Sequence, residues 1–259
     1  MSSYEFIKTE RDGNLFILTM NRPDVMNACH SPMHEEMQTA FDEFANDDSL
    51  WVAIVTGAGD RAFSAGNDLK YQAAGGKRWK VRTGFGGITQ RFDLFKPVIA
   101  AVNGVAMGGG FEVALACDII VASEKAVFAL PEVRVGLMAG AGGVHRLPRT
   151  MPLKQAMGMM LTGKRMSAED GLRFGFVNEV VPADQLMVAA RRWAAEILEA
   201  SPLSVRATKE AVYKGFDAAT LEEAIDTVYP MTQKMRDSED FIEGPKAFSE
   251  KRKPDWKGR

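Results

Sequence analysis

The chain has 259 residues, enough to bury a sizeable core, with 46% hydrophobic and 25% charged residues, an ordinary balance for a globular protein. Its 32 basic residues against 34 acidic ones, a net charge of −2, leave no global field suited to nucleic acid. Cys29 and Cys117 form neither a disulfide framework nor a metal-ligand spacing, no apolar run reaches the roughly 20 residues of a membrane span, and the N-terminal stretch lacks a secretory signal's basic and apolar regions, which together point to a cytoplasmic protein with two small core thiols.

Residues 14–20 read as a strand, and Ser31-Pro32 reads as the N-cap and first position of a helix running to about Asn46. The apolar runs 51–56 and 97–102 are too short for helices and suit strands buried on both faces. Asp118 to Ser123 and Ala126 to Ala129 add short strands with helical stretches between, an α/β pattern. Beyond Ser167, with Asp170 three residues on, the chain turns mainly helical after a short strand near Phe176 to Val180. Ser201-Pro202 opens another helix, and Thr220 with Glu223 has the spacing of a capping box.

Chemistry concentrates at three turns. In Asn103-Gly104-Val105-Ala106-Met107-Gly108-Gly109-Gly110-Phe111-Glu112, three adjacent glycines run into an acidic helical segment. Glycine lets backbone approach a ligand closely, and the first helical turn has unpaired N–H groups at the positive end of the dipole, so this is an anion site beside a carboxylate. Arg61-Ala62-Phe63-Ser64-Ala65-Gly66-Asn67-Asp68-Leu69-Lys70 repeats the small-residue turn after an apolar strand, and Phe128-Ala129-Leu130-Pro131-Glu132 places a second carboxylate twenty positions after the first. Taken singly, a glycine run is a tight turn, Glu112 a dipole charge, Glu132 a loop residue and Asn67 a residue tolerant of left-handed backbone.

Taken together and in this order, the three pieces resemble the crotonase superfamily, the enoyl-CoA hydratase/isomerase group. The likeness extends from Asn21-Arg22-Pro23 through Gly140-Ala141-Gly142-Gly143 to Glu243-Gly244-Pro245-Lys246-Ala247-Phe248-Ser249-Glu250-Lys251-Arg252, almost the whole chain. It implies an α/β fold with a crotonase-type ββα spiral core over residues 1–199 and a C-terminal helical trimerisation region over residues 200–259. The chain looks most like the branch that contains crotonobetainyl-CoA hydratase (carnitinyl-CoA dehydratase).

The resemblance also implies roles. Two backbone donors, Asn67 and Gly109, would hold the oxyanion that a thioester carbonyl becomes during reaction. Glu112 would orient and deprotonate water, and Glu132 would exchange a proton at Cα. Both acids together fit a hydratase better than an isomerase, which commonly keeps only the position of Glu132. Ala65, Asp68, Leu69 and Lys70 would line the substrate, with Trp79 and Phe85 from the glycine-rich 75–87 segment setting acyl preference. Arg22, Phe248 and Lys251 would hold the coenzyme A end, the last two from a neighbouring subunit of a homotrimer or dimer of trimers.

The implied reaction is reversible water addition to a trans-2-enoyl-CoA, with no metal and no cofactor other than the coenzyme A carried by the substrate. Lys77, Arg78, Lys80 and Arg82 around Trp79 would repel a quaternary ammonium tail if they face the acyl group, against the cation–π attraction of the aromatic rings. Gly140-Ala141-Gly142-Gly143-Val144-His145 begins like a dinucleotide fingerprint but fails at its sixth position. A catalytically idle or RNA-associated protein of the same fold is disfavoured by the charge balance and by both glutamates being present. His30, His34 and His145 are read as ordinary core or surface residues.

Overall fold

The computed structural model describes residues 4–77 and 81–259; Trp79, with Arg78 and Lys80, lies outside them. In chain order the elements are β1 (Ile7–Asp12), β2 (Leu15–Met20), α1 (Ser31–Asn46), β3 (Val52–Gly57), β4 (Ala62–Ser64), α2 (Leu69–Ala73), β5 (Val98–Val102), β6 (Val105–Met107), α3 (Gly109–Ala116), β7 (Ile119–Ser123) and β8 (Val127–Ala129). They continue with α4 (Gly143–Thr150), α5 (Leu153–Thr162), β9 (Met166–Ser167), α6 (Ala168–Phe174), β10 (Glu179–Val181) and α7 (Leu186–Leu198). The C-terminal helices are α8 (Pro202–Gly215), α9 (Leu221–Asp226), α10 (Pro230–Arg236) and α11 (Glu239–Ser249).

Two sheets form, one ordered β1-β2-β3-β5-β7-β10 and one ordered β4-β6-β8-β9. Strands β3, β5 and β7 lie side by side in the first, and each passes its chain to β4, β6 or β8 in the second before a helix follows. That repeated strand-strand-helix unit is the ββα spiral the resemblance implies. At the β5–β6 corner Asn103 donates to the carbonyls of Gly59 and Ala62 at 2.8 and 3.1 Å, pinning one turn of the spiral to the one before it.

The alternation of strand side chains divides the core. Phe16, Leu18, Ala53, Val55, Val98, Ala100 and Ala122 face the larger cluster with Met33, Met37, Phe41 and Phe44 of α1. Leu15, Ile17, Val52, Ile54, Ile99, Ala101 and Val121 face α7, whose Ala189, Ala190 and Ala194 let the helix sit close to the sheet. Strands β3 and β5 are buried at every position, as their unbroken apolar runs require. Phe111, Phe128 and Phe176 pack ring to ring with centroids 5.0–5.3 Å apart and anchor α3 in the core.

Strand β1 escapes a hydrophobic reading because Ile-Lys-Thr-Glu-Arg-Asp is an edge strand with five of six positions polar, four of them charged. At α1 the residue before the helix is His30 in extended backbone, and the Ser31 hydroxyl donates instead to the carbonyl of Lys77, so Ser31 tethers a loop rather than capping. Ser167 caps α6 through the Asp170 N–H at 3.1 Å. Thr220 accepts from the Glu223 N–H at 3.1 Å, but the Glu223 carboxylate reaches the Ala219 N–H at 3.0 Å, one residue before the expected position. Among the described residues no helix is long and apolar enough to cross a membrane.

Candidate active site

The three glycines before Glu112 are each required for a different reason. Gly108 has φ +53°, and a Cβ there would lie 2.8 Å from Glu132 Oε1. A Cβ on Gly109 would fall 2.4 Å from Cζ of Phe85, and one on Gly110 would fall 2.2 Å from the carbonyl oxygen of Ser64 in β4. The triplet therefore brings the start of α3 against the second sheet, an aromatic ring and the second carboxylate at once.

The turn at Gly66 meets it. A Cβ on Gly66, at φ +88°, would stand 2.5 Å from the Met107 carbonyl and 3.0 Å from the Gly109 nitrogen. Cys29 bonds to the two residues flanking Asn67, donating to Gly66 O at 2.7 Å and accepting from the Asp68 N–H at 2.8 Å. In extended backbone that alternation turns the Asn67 N–H away from Cys29. The Gly109 N–H opens α3, where a helix has no internal acceptor to offer. Two backbone donors on adjoining turns are thus brought close together. The Asn67 side chain is engaged, its amide donating to Gln72 Oε1 at 2.7 Å.

Glu112 is only 3% exposed. Its Oε1 accepts from the Gly143 N–H at 2.8 Å, so the N-terminus of α4 holds the carboxylate. Burial dominates, with the nearby Glu132 charge adding to it and the backbone donors and Arg146 opposing, and the carboxyl is pushed up to about 7. Glu132 also titrates above the usual carboxylate range because it is buried. Its Oε2 is buried and has no hydrogen-bond partner among the described residues, an exposed need that a ligand could meet. Two carboxyls with raised proton affinity beside a pair of neighbouring backbone N–H donors can move protons at a carbonyl-activated carbon.

The other expected site residues divide. Ala65 donates to Met26 O at 2.9 Å, and Leu69 and Lys70 are exposed on the first turn of α2. Asp68 caps α2 through the Tyr71 N–H at 3.0 Å and pairs with Arg22 at 3.0 Å. Arg22 also donates to Ala28 O, so its guanidinium is taken up inside the protein as a brace for the 22–28 turn. Both bonds use Nη1, and Asp68 serves at once as helix cap and as ion-pair partner.

Phe85, expected on a mobile pocket wall, is instead buried under Gly109, with its ring 4.4 Å from that of His34. The His34 Nδ1 accepts from the Gly86 N–H at 3.0 Å, and burial lowers the imidazole to about 3, which keeps that nitrogen free to accept. Arg82 faces Asp42 at 3.2 Å and Asp93 at 3.7 Å, so this one of the loop's four cations is paired with carboxylates of the protein itself.

Phe248 and Lys251 stand exposed at the end of α11, Phe248 at 87%. Their presentation is fixed by Glu243, which accepts from Arg252 Nη2 and from the Asp255 N–H, both at 2.8 Å, folding the tail back on the helix. Arg252 is the main cause holding the Glu243 carboxyl down at about 2. Gly108, Gly66 and Gly143 belong to the site although the sequence reading assigned them no separate role. The signal was present in Gly140-Ala141-Gly142-Gly143, which is a helix N-terminus as its likeness to a dinucleotide motif suggests, but one aimed at the protein's own carboxylate.

Two spiral turns bring backbone N–H groups beside a pair of carboxyls, the arrangement that the resemblance to crotonases implies. The family model for enoyl-CoA hydratase/isomerase matches residues 10–259, and the chain belongs to that family. It is 45% identical to the carnitinyl-CoA dehydratase of Proteus mirabilis (strain HI4320) over 256 residues, covering 95% of this chain and 96% of that one. It is also 45% identical to the carnitinyl-CoA dehydratase of Salmonella typhi over 265 residues, covering 98% and 99%. The crystal structure of enoyl-CoA hydratase from Mycobacterium tuberculosis H37Rv superposes with a TM-score of 0.92 at 37% identity, covering 98% of this chain and 99% of that one.

Proposed function

We propose that this protein is an enoyl-CoA hydratase, adding water reversibly across the double bond of a trans-2-enoyl-CoA. The observation that carries the reading is the juxtaposition of the Gly66–Asn67 and Gly109 turns beside two carboxyls, Glu112 buried and Glu132 half-buried with an Oε2 that has no partner among the described residues. The thioester oxygen sits between the two donors. Glu112 takes a proton from water as its oxygen bonds to Cβ, the double-bond electrons move toward the thioester, and the resulting enolate oxyanion is held by the two N–H groups. Glu132 then gives its proton to Cα. Both bond-making steps are water and proton transfers to an activated thioester, so the reaction calls for no metal or redox cofactor, and coenzyme A enters with the substrate.

The test is loss of the conjugated thioester absorbance on adding purified protein to crotonyl-CoA; no turnover across a panel of enoyl-CoA chain lengths would overturn the reading. Because Glu112 acts ionised and its carboxyl stands at about 7, kcat/KM for hydration is expected to rise with pH through that value. A profile flat from pH 5.5 to 8.5, values about 1.5 units either side of it, would remove Glu112 as the base.

A second reading is hydration of crotonobetainyl-CoA, favoured by the two dehydratase relatives at 45% identity. Turning Arg82 toward Asp42 and Asp93 weakens the charge objection to a quaternary ammonium. Comparing kcat/KM for crotonobetainyl-CoA with that for uncharged enoyl-CoA thioesters decides between them.

The working unit is a homotrimer or dimer of trimers, and residues 200–259 are its oligomerisation region. Phe216, Leu221, Ile225, Val228, Phe241, Ile242 and Phe248 are all exposed there, more apolar surface than a monomer ordinarily leaves bare. In that assembly Phe248 and Lys251 reach a neighbour's coenzyme A. Replacing Leu221 and Ile225 together with Glu should shift light-scattering mass toward one protomer; an unchanged mass would take this face out of the interface. The two unpaired buried thiols support the reducing cytoplasm as its compartment.

A further inference from the structure

Arg146 lies in the first turn of α4, where a cation opposes the positive end of the helix dipole. Its side chain folds back over that same end: a Cβ built on Gly142, whose φ is +111°, would lie 2.1 Å from Nη1. Nη2 donates to the carbonyl of Thr89 at 2.8 Å. The Thr89 N–H in turn donates to the Phe85 carbonyl at 3.3 Å, and the Phe85 ring is the one packed under Gly109. A partly buried cation placed against a helix N-terminus is costly for that helix, so stabilising α4 does not account for it.

What accounts for it is the company on either side. The N-terminus of α4 carries the Gly143 N–H that holds Glu112, and the 85–89 loop carries the ring packed against Gly109. We infer that Arg146 is a positioning residue that ties these two halves of the site together and places a cation at the helix end that holds Glu112. This rests on the hydratase reading. The charges acting on Glu112 are those of Glu132, from the 3-10 turn Glu132–Val135, and of Arg146, from α4. The other elements packed against α3, namely β4, β6 and the turn Phe85–Gly87, carry no ionisable side chain. Arg146 is itself influenced by the nearby Tyr213, Cys117 and Arg149.

Two substitutions separate the charge from the tie. Arg146→Gln removes both, and Arg146→Lys keeps the charge while losing the planar fork that reaches Thr89 and lies on Gly142. In Arg146→Gln, kcat for enoyl-CoA hydration should fall about 10- to 100-fold with KM changed less than about twofold, as for a displaced catalytic group. The titration midpoint of Glu112, followed by carboxyl 13C NMR and identified by its loss in Glu112→Gln, should rise by about one pH unit. In Arg146→Lys the midpoint should stay at the wild-type value while kcat still falls.

A Glu112 midpoint and kcat both unchanged in Arg146→Gln would overturn the inference, as would a lowered melting temperature with the midpoint unmoved. Should Arg146→Gln fail to fold, wild-type kcat in Arg146→Lys overturns it and reduced kcat with an unmoved midpoint upholds it. Absence of hydration by the wild-type protein would instead defeat the hydratase reading, and the NMR midpoints would still report on the charge.

Discussion

Replacing Glu132 with Gln is expected to slow hydration by about 10² or more, and Glu112→Gln to do the same, with the fold intact in both. The amide keeps the size of each side chain and removes its ability to move a proton. In Glu132→Gln the loss should fall on kcat, and the fold should hold because Oε2 has no partner among the described residues whose loss would disturb it. Glu112→Gln differs in one respect. The amide oxygen can still accept from the Gly143 N–H, so α4 should stay in place, and circular dichroism and melting temperature should match wild type. Since Glu132 raises the proton affinity of Glu112, Glu132→Gln should also shift the rising limb of the residual pH profile below its wild-type position near 7. Near wild-type turnover in either variant would take that residue out of the mechanism.

The second large effect is expected at Gly109. A Val there must place its Cβ where the Phe85 ring now lies, 2.4 Å from Cζ, so either the ring or the first turn of α3 has to move. Displacing one oxyanion donor costs roughly 2.7–4 kcal/mol of transition-state stabilisation, about 10² to 10³ in kcat. The packing explanation has its own check. Gly109→Ala alone should lose most activity, and adding Phe85→Ala, which vacates the contested space, should restore part of it. Purified, folded Gly109→Val hydrating at the wild-type rate would sink the donor assignment. Phe85→Ala that deepens the loss would show that the ring supports the donor rather than crowding the substitution. Phe111→Ala, one position before Glu112, belongs to a different class: it should cost about 3–5 kcal/mol of stability through loss of the Phe128 and Phe176 contacts.

Much of the spiral was legible because its strands are short unbroken apolar runs. Burial on both faces dictates such runs, and Val52–Gly57 and Val98–Val102 fall within a residue of the expected bounds. Helix starts at Pro202 and Ala168 were legible through their capping residues, Ser201 and Ser167, whose preferences act locally. The glycine triplet and the two glutamates could be picked out for a similar reason, since a close backbone approach excludes a Cβ and proton transfer needs an ionisable group, whatever surrounds them.

The remainder depended on contacts between residues far apart in the chain. Phe85 looked like a mobile wall because its neighbours are glycines, yet those glycines let the turn fold tightly against His34 and Gly109. Arg22 looked like a phosphate ligand because it is a cation beside a family turn, and only the fold shows Asp68, forty-six residues away, closing on it. Ser31 is a strong capping residue, and only the tertiary structure brings the Lys77 carbonyl within its reach. Side-chain identity by itself determined what each residue could donate, accept or exclude. Which partner it meets was decided by the spiral, because hydrogen bonds and ion pairs act over a few ångströms and chain separation says nothing about those distances.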